Sequence, residues 1–417
     1  MLKNLSGRLV LVFLVIALMP ASARLLAESC LECHSEWEEG DDAPSATFHL
    51  DVHSQADLGC SDCHGGNPEL EDMDEVRASK GYRGVPKPAD IPQFCAHCHS
   101  DPAYMVKHNP GLATDQLDKY KTSVHGKRLL EEKDTKVATC VSCHTAHRIE
   151  KADSPTSSVY AQNIPQTCAH CHADSDHMAG YGIPTDQYEK YVRSVHGIAL
   201  LERHDNAAPA CNDCHGNHAA TPPGVTSLSA VCGTCHALVA ENFASSPHQE
   251  AFADADIPQC EVCHSNHLIV EPQISWVGTG DSALCVECHS EDDGTQGYAT
   301  AERISGLLVG MRESYTEAEA SIAQAEQKGM MVVDEQLALR DVKQSMIRAA
   351  TALHTFNADK VAEIINPGLT AAAQIDSSGI AKVDEYYFRR KGLGIASLLI
   401  TILAIALFIK IRRLERR

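Results

Sequence analysis

Aromatic side chains are scarce here: 8 Phe, 2 Trp and 11 Tyr make up only 5% of 417 residues. A length that would suggest two or three domains therefore comes without the bulky side chains that ordinarily fill their cores. Positive charge is also short. Lys and Arg number 35 against 56 Asp and Glu, a formal net charge of −21. That balance excludes a nucleic-acid partner and fits a solvated acidic surface or docking to basic patches. Cysteine is absent after Cys288, and from Gly297 onward proline is rare. No ionisable residue interrupts Gly392–Ile409.

What is present is one motif, nine times over. Cys-x-x-Cys-His occurs at Cys30, Cys33, His34; at Cys60, Cys63, His64; at Cys95, Cys98, His99; at Cys140, Cys143, His144; and at Cys168, Cys171, His172. It continues at Cys211, Cys214, His215; at Cys232, Cys235, His236; at Cys260, Cys263, His264; and at Cys285, Cys288, His289. These copies use all 18 cysteines. The pattern is the attachment signature of c-type haem: two thiols add to the vinyl groups, and the adjacent imidazole becomes the proximal iron ligand. Zinc knuckles and thiol redox sites share Cys-x-x-Cys but need no histidine after every second cysteine. The count predicts nine covalent haem c groups. One haem on roughly every 29 residues leaves segments too short for a core of their own, so the macrocycles supply the missing apolar volume. The expected fold is mainly α with extensive loops, packed around haem.

Residues 1–23 read as a secretory signal peptide. Lys3 and Arg8 precede an apolar run from Leu9 to Met19, and Ala21-Ser22-Ala23 offers a small-residue cleavage site.

The spacing of the motifs reveals an internal repeat of roughly 73 residues. IPQFCAHCH from Ile91 runs through TDQLDKYKTSVHGKRLLEE to CVSCHTAH, and IPQTCAHCH from Ile164 runs through TDQYEKYVRSVHGIALLER to CNDCHGNH. A looser copy begins at Cys232, and a degenerate one pairs Cys30 with Cys60. The haem region, 24–296, thus divides into pairs at about 28–90, 91–163, 164–228 and 229–271, with a single motif in 272–296. Thr185–Glu202 has a helical composition, a Thr-Asp start and a Gly after its histidine, which predicts a short helix presenting His196, with His125 its equivalent.

Of 23 histidines, nine are proximal. His53, His125, His196 and His248 precede the second motif of each pair, and His147, His218 and His267 complete a CHxxH pattern in pairs two to four. A neutral imidazole repeated beside haem is most simply a distal iron ligand. Two irons remain to be served from His49, His97, His108, His170, His177, His204 and His354. His97 and His170 lie inside attachment loops. The first pair has Asn67 where CHxxH would place histidine, which makes His49 its candidate substitute. His354, alone after His289, is the candidate for a haem near the chain's last motif.

From 297 to 385 the sequence predicts a helical hairpin. Ile304, Leu308, Met311, Tyr315, Ala318, Ile322 and Ala325 form an amphipathic seam ended by Gly329. Leu339, Val342, Met346, Ala350, Leu353 and Val361 form a second, stopped at Pro367-Gly368. Residues 386–417 read as a transmembrane anchor with a basic tail. Gly392–Ile409 is long enough to span with its flanks, and Tyr386, Tyr387 and Phe388 sit at an interfacial level. The tail carries five basic residues against three on the other flank, which directs it to the cytoplasm.

Residues 30–289 resemble the multihaem c-type cytochromes with doubled CxxCH motifs found in anaerobic respiratory chains. The resemblance rests on the paired motifs, the SVHG segments and the CHxxH histidines. It implies covalent, mostly bis-histidine haems in contact, attached outside the bacterial cytoplasm and passing single electrons. The helical region is more distantly similar to that of pentahaem nitrite reductases and octahaem hydroxylamine oxidoreductases. This chain has no CxxCK motif, and no tyrosine matches the haem cross-link of the hydroxylamine enzymes. Tetrahaem quinol dehydrogenases share the motif but carry their anchor at the N-terminus. The expectation is an inner-membrane electron-transfer cytochrome with its haem domain in the periplasm, its partners a quinol-oxidising membrane subunit or other cytochromes. The alternative is an oxidoreductase acting on a small nitrogen or sulfur compound at a haem with an open distal face.

Overall fold

The computed structural model describes residues 29–37, 40, 43–224 and 228–416. The expected signal peptide lies outside them. The architecture is helices joined by long loops, with no strand among the described residues. Two compact units separate: the chain up to Pro223 together with Asn266–Val270, and Gly224–Ser265 together with Glu271–Arg417.

In the first unit the attachment motifs adopt two local forms. In the first pair the first motif opens the helix Ser29–Trp37, whereas in the second and third pairs it closes a nine-residue helix, Ile91–His99 or Ile164–His172, each with proline in its first turn. Proline is tolerated there because that N–H has no intrahelical acceptor anyway. The second motif is itself a five-residue helix, as in Cys60–His64, Cys140–His144 and Cys211–His215. The residue between the cysteines caps it: Asp62 accepts from Gly59 N–H at 2.8 Å, Ser142 from Thr139 N–H at 3.0 Å and Asp213 from Ala210 N–H at 2.7 Å. Each helix then stops dead on a positive φ, at Gly65 (67°), Thr145 (67°) and Gly216 (79°). The proximal histidine is thereby the last helical residue.

The second unit carries three long helices. Gly297–Gln327 ends where Gly329 turns left-handed at φ 78°, donating to Glu326 O, while Met330 N–H reaches back to Ala325 O. This is the glycine stop read from sequence. Val333–Ala352 follows and tightens into the 3₁₀ turn Leu353–Thr355. Phe356 then reverses the chain at φ 48°, and Asn357 caps the third helix by accepting from Asp359 and Lys360 N–H. That third helix, Ala358–Glu415, is 58 residues long.

The predicted hairpin is therefore completed by a third helix, and the stop expected at Pro367-Gly368 does not occur. The reason is the phase of the helix. Pro367 faces solvent, where water can satisfy the carbonyl it frees. The opposite face buries Val361, Ile365, Gly368, Ala372, Ile375 and Gly379 at alternating steps of three and four. Packing outweighs the local breaker. Val361 belongs to this helix and not to the second. Ala350 is exposed, the second helix burying Leu339, Val342, Ala349 and Ala352 instead. The first helix buries Ile304, Met311, Ala318, Ile322 and Ala325, with Leu308 and Tyr315 partly covered, close to the seam read from sequence. Two glycines set the approach of helices one and three. A Cβ on Gly368 would lie 2.4 Å from Met311 Cε, and one on Gly379 2.8 Å from the Ser321 backbone.

The third helix passes without a break into Gly392–Ile409, whose side chains are exposed (Leu393 69%, Leu403 60%). It is the one described helix long and apolar enough to cross a membrane.

Candidate functional site

The local chemistry of SVHG explains how the repeat presents its histidines. Ser123 and Ser194, each 1% exposed, end one helix and cap the next. Ser123 Oγ donates to Tyr120 O at 2.6 Å and accepts from Gly126 N–H at 2.9 Å; Ser194 does the same with Tyr191 O and Gly197 N–H at 2.6 and 3.0 Å. The continuous helix expected over Thr185–Glu202 is thus split at Ser194, because a capped serine starts a new helix on its own axis. His125 and His196 stand in the first turn of the second piece. The glycine after each histidine is not a stop. A Cβ on Gly126 would meet Tyr120 O at 1.9 Å, and one on Gly197 would meet Tyr191 O at 2.0 Å. Only glycine lets the two helices cross this closely.

One backbone bond then recurs between successive repeats. Val52 N–H donates to Ile149 O at 2.8 Å, Val124 to Ala220 O at 3.1 Å and Val195 to Ile269 O at 2.8 Å. Each donor precedes His53, His125 or His196, and each acceptor lies two residues beyond His147, His218 or His267. The segment bearing one repeat's histidine is thereby tied to the CHxxH segment of the next. In the fourth copy the donor position is Pro247, which has no N–H to give.

Imidazoles come together in pairs. Ring centres lie 5.9 Å apart for His53 and His99, 6.0 Å for His64 and His147, 6.1 Å for His125 and His172, and 6.0 Å for His144 and His218. The same holds for His215 and His267 at 5.9 Å, His248 and His289 at 5.9 Å, and His264 and His354 at 6.1 Å. Imidazole nitrogen binds a transition metal at about 2.0–2.1 Å and its ring centre lies about 1.1 Å behind, so two rings on opposite sides of one iron have centres about 6.2 Å apart. The seven separations fit that requirement. Each pair joins one attachment histidine to one of the sequence candidates. His34, His196 and His236 engage other neighbours outside these seven pairs. His49 is exposed in the turn Phe48–Leu50, His108 stacks on Tyr104 at 4.6 Å, and His204 meets Gln162 at 3.1 Å. His97 and His170 lie within motif helices, and His177 N–H donates to Asp174.

The sulfurs follow the same order. The thiol of Cys95 lies beside that of Cys140, Cys168 beside Cys211 and Cys232 beside Cys260, so in these three pairs the two motifs come together at their first cysteines. Between neighbouring pairs other thiols lie within electrostatic range: Cys63 of Cys98, Cys143 of Cys168 and Cys171, and Cys263 of Cys285 and Cys288. Burial, reinforced by these neighbours, pushes the Cys143 and Cys263 thiols up to about 11. Within the first unit the attachment points form an unbroken series from Cys63 to Cys211, and within the second from Cys232 to Cys288.

Burial also pushes His99, His125, His144, His172, His218, His248, His264 and His354 below the ordinary imidazole value. The neutral form so favoured is the one that ligates metal. Outer contacts orient several rings, as the second groups around metal ligands do. His64 Nδ1 pairs with Gly84 O at 2.9 Å, His354 Nδ1 with Thr351 O at 3.2 Å and His53 Nδ1 with Asp51 Oδ1 at 2.8 Å.

Two contributors escape a motif search. Phe356 packs on His248 with ring centres 4.0 Å apart, placed there by its left-handed backbone. Asp51, 1% exposed, accepts from His53 N–H at 2.9 Å, from the His53 ring, and from Ile149 N–H at 2.7 Å. Burial alone would raise its carboxyl, but these three hydrogen bonds hold it below the usual range. Its signal was in the repeat: Asp51 occupies the position of Ser123, Ser194 and Ser246.

Residues 250–294, which span the motifs of His264 and His289, match a family described as the doubled CXXCH motif. No curated protein and no solved structure matches the chain. The paired motifs indicate covalently bound haem c, and the match supports a place for this chain among the multihaem c-type cytochromes.

Proposed function

We propose that this chain is a membrane-anchored periplasmic cytochrome that holds nine haem c groups and relays electrons between redox partners of a respiratory chain. The observation that carries the reading is the set of seven imidazole pairs at iron-bridging separation. Haem c supplies reversible one-electron chemistry where it is bound. The chain's own residues fix where that happens. Paired sulfurs such as Cys95 with Cys140 set neighbouring attachment points in contact. His53, His125, His147, His218, His248, His267 and His354 close the distal faces opposite their partners, and His196 and His49 are the candidates for the remaining two. Closed faces suit relay over substrate chemistry, which needs an open coordination position. The basic tail Lys410–Arg417 supports an anchor inserted from the periplasmic side.

The test is the spin state and ligand reactivity of the haem-loaded protein. A low-spin spectrum, unchanged by carbon monoxide on reduction, is expected for every iron flanked by a histidine pair. A substantial high-spin fraction that binds carbon monoxide at the paired sites would overturn the relay reading in favour of an oxidoreductase.

A further inference from the structure

The repeat offers an internal control for one position. Two residues before the distal histidine, three copies carry serine (Ser123, Ser194, Ser246) and the first carries Asp51. Ser123 and Ser194 use their hydroxyls entirely within the backbone, bridging the helix crossing. Asp51 has two oxygens and a longer side chain. Oδ1 caps the helix through His53 N–H and reaches the His53 ring nitrogen at 2.8 Å, while Oδ2 takes Ile149 N–H at 2.7 Å. The carboxylate is all but sealed from water.

Among the described residues a second carboxylate stands beside an axial candidate. Asp293 approaches His289 Nδ1 at 3.2 Å, with its side chain 18% exposed. It is longer and better hydrated. The carbonyl partners of His64 and His354 are neutral dipoles.

The geometry points to Asp51 as a residue that sets the redox potential of the haem held by Cys95, Cys98 and His99, making it a low-potential step in the relay. The inference rests on the reading that His53 and His99 face each other across one iron. Two effects of the same sign act on the iron. A carboxylate accepting the ring N–H gives the imidazole more anionic character, so it donates more strongly to the ferric state. A buried negative charge close to the iron, poorly screened, also favours the extra positive charge of the ferric form. Both lower the potential. Serine at this position would supply neither, so the single Ser-to-Asp difference singles out one haem. That haem lies at the boundary between the first pair and the rest, and the site is an uphill step for electrons crossing it.

The experiment uses the full-length, haem-loaded protein with three substitutions: Asp51→Ser, Asp51→Asn and His53→Met. Potentiometric titration followed by absorbance is combined with low-temperature EPR. Asp51→Ser installs the residue the other repeats use, and Asp51→Asn keeps the size and part of the hydrogen bonding should the serine variant assemble poorly. In both, one single-electron component should move to higher potential by at least tenfold in its equilibrium constant, which for a one-electron couple is 59 mV. The haem should stay low-spin with an altered g tensor, and the other components should not move. A merely structural role for Asp51 would loosen the site and produce high-spin iron without that selective shift. His53→Met separates the two layers of the argument. If it shifts a component and either Asp51 variant does not, the tuning role is overturned while the ligation stands. If His53→Met changes neither potentials nor g values, the ligation and the tuning role both fall.

Discussion

Gly126→Ala is a one-methyl change whose consequence can be worked from the structure. The new Cβ would sit 1.9 Å from Tyr120 O, 2.7 Å from its carbonyl carbon and 3.1 Å from Lys121 Cα. These are backbone atoms, so no rotamer change relieves them. Restoring even a 3.0 Å contact moves one helix by about 1.1 Å relative to the other, and overpacking on that scale costs about 1–3 kcal/mol. The Ser123 bridge spans the same crossing, with bonds of 2.6 and 2.9 Å. Opening the crossing breaks at least one of these bonds, and losing a serine cap costs about 1 kcal/mol more. A destabilisation of about 2–4 kcal/mol is expected. The functional effect follows from the same displacement. His125 is in the first turn of the moved helix, 6.1 Å from His172, and on the relay reading a shift of about 1 Å would stretch its iron–imidazole bond far beyond the usual length of about 2 Å. The variant should carry its full covalent haem, since no attachment residue is touched, yet show one haem converted to high spin and a lower denaturation midpoint. Gly111→Ala is the control, its Cβ meeting nothing nearer than 3.7 Å. A Gly126→Ala protein with an unchanged low-spin spectrum and an unchanged midpoint would refute both the close-approach argument and the placement of His125.

Further outcomes are equally direct. Intact mass after acid extraction should show nine haem increments on a chain beginning near Arg24; seven or fewer would mean unoccupied motifs. Truncation before Arg389 should release a soluble, fully loaded protein, because the three-helix core ends before that residue; continued fractionation with membranes would assign the attachment elsewhere. His354→Met should leave attachment intact and raise the potential of one haem, since a thioether ligand raises it relative to imidazole; unchanged potentials would remove His354 from the ligand set.

The sequence disclosed the cofactor chemistry and most of the imidazoles because both are written as local repeats. It could not disclose which imidazole meets which. His147 faces His64 from the preceding repeat, and His53 faces His99 of the following one, so the pairing is set by the backbone tie from Val52 to Ile149. That tie joins residues 97 positions apart, in different repeats, so it is not visible within either repeat alone. In this pairing the ring opposite His64 comes from His147, so the Asn67 position of the first pair is not the one that faces it. The helices depart from the sequence expectation at Pro367 and at Ser194 for opposite reasons. At Pro367 tertiary packing on one face overrides a local breaker, whereas at Ser194 a local cap overrides a composition that favours helix throughout.

Reciprocal exchange between repeats has a consequence at the end of the array. The last CHxxH segment serves His215, which leaves His264 without a following repeat to cover it, and the last Ser-x-His segment, at His248, has no following pair to serve. The chain answers with the lone ninth motif, whose His289 faces His248, and with a turn of the helical core that sets His354 against His264 and Phe356 against His248. That turn immediately precedes the helix that carries the candidate membrane span. From Ala358 to Gly392 the helix advances 34 residues, about 51 Å at 1.5 Å per residue, and a tilt of about 20° shortens this by only a few ångströms. On the relay reading, the haems nearest the anchor's start therefore stand far above the bilayer, beyond direct contact with a quinol in the membrane. A partner that exchanges electrons with them has to present its own redox centre at that height. This favours a soluble cytochrome, or a membrane subunit with a tall periplasmic redox domain, over direct quinol oxidation at this end of the array.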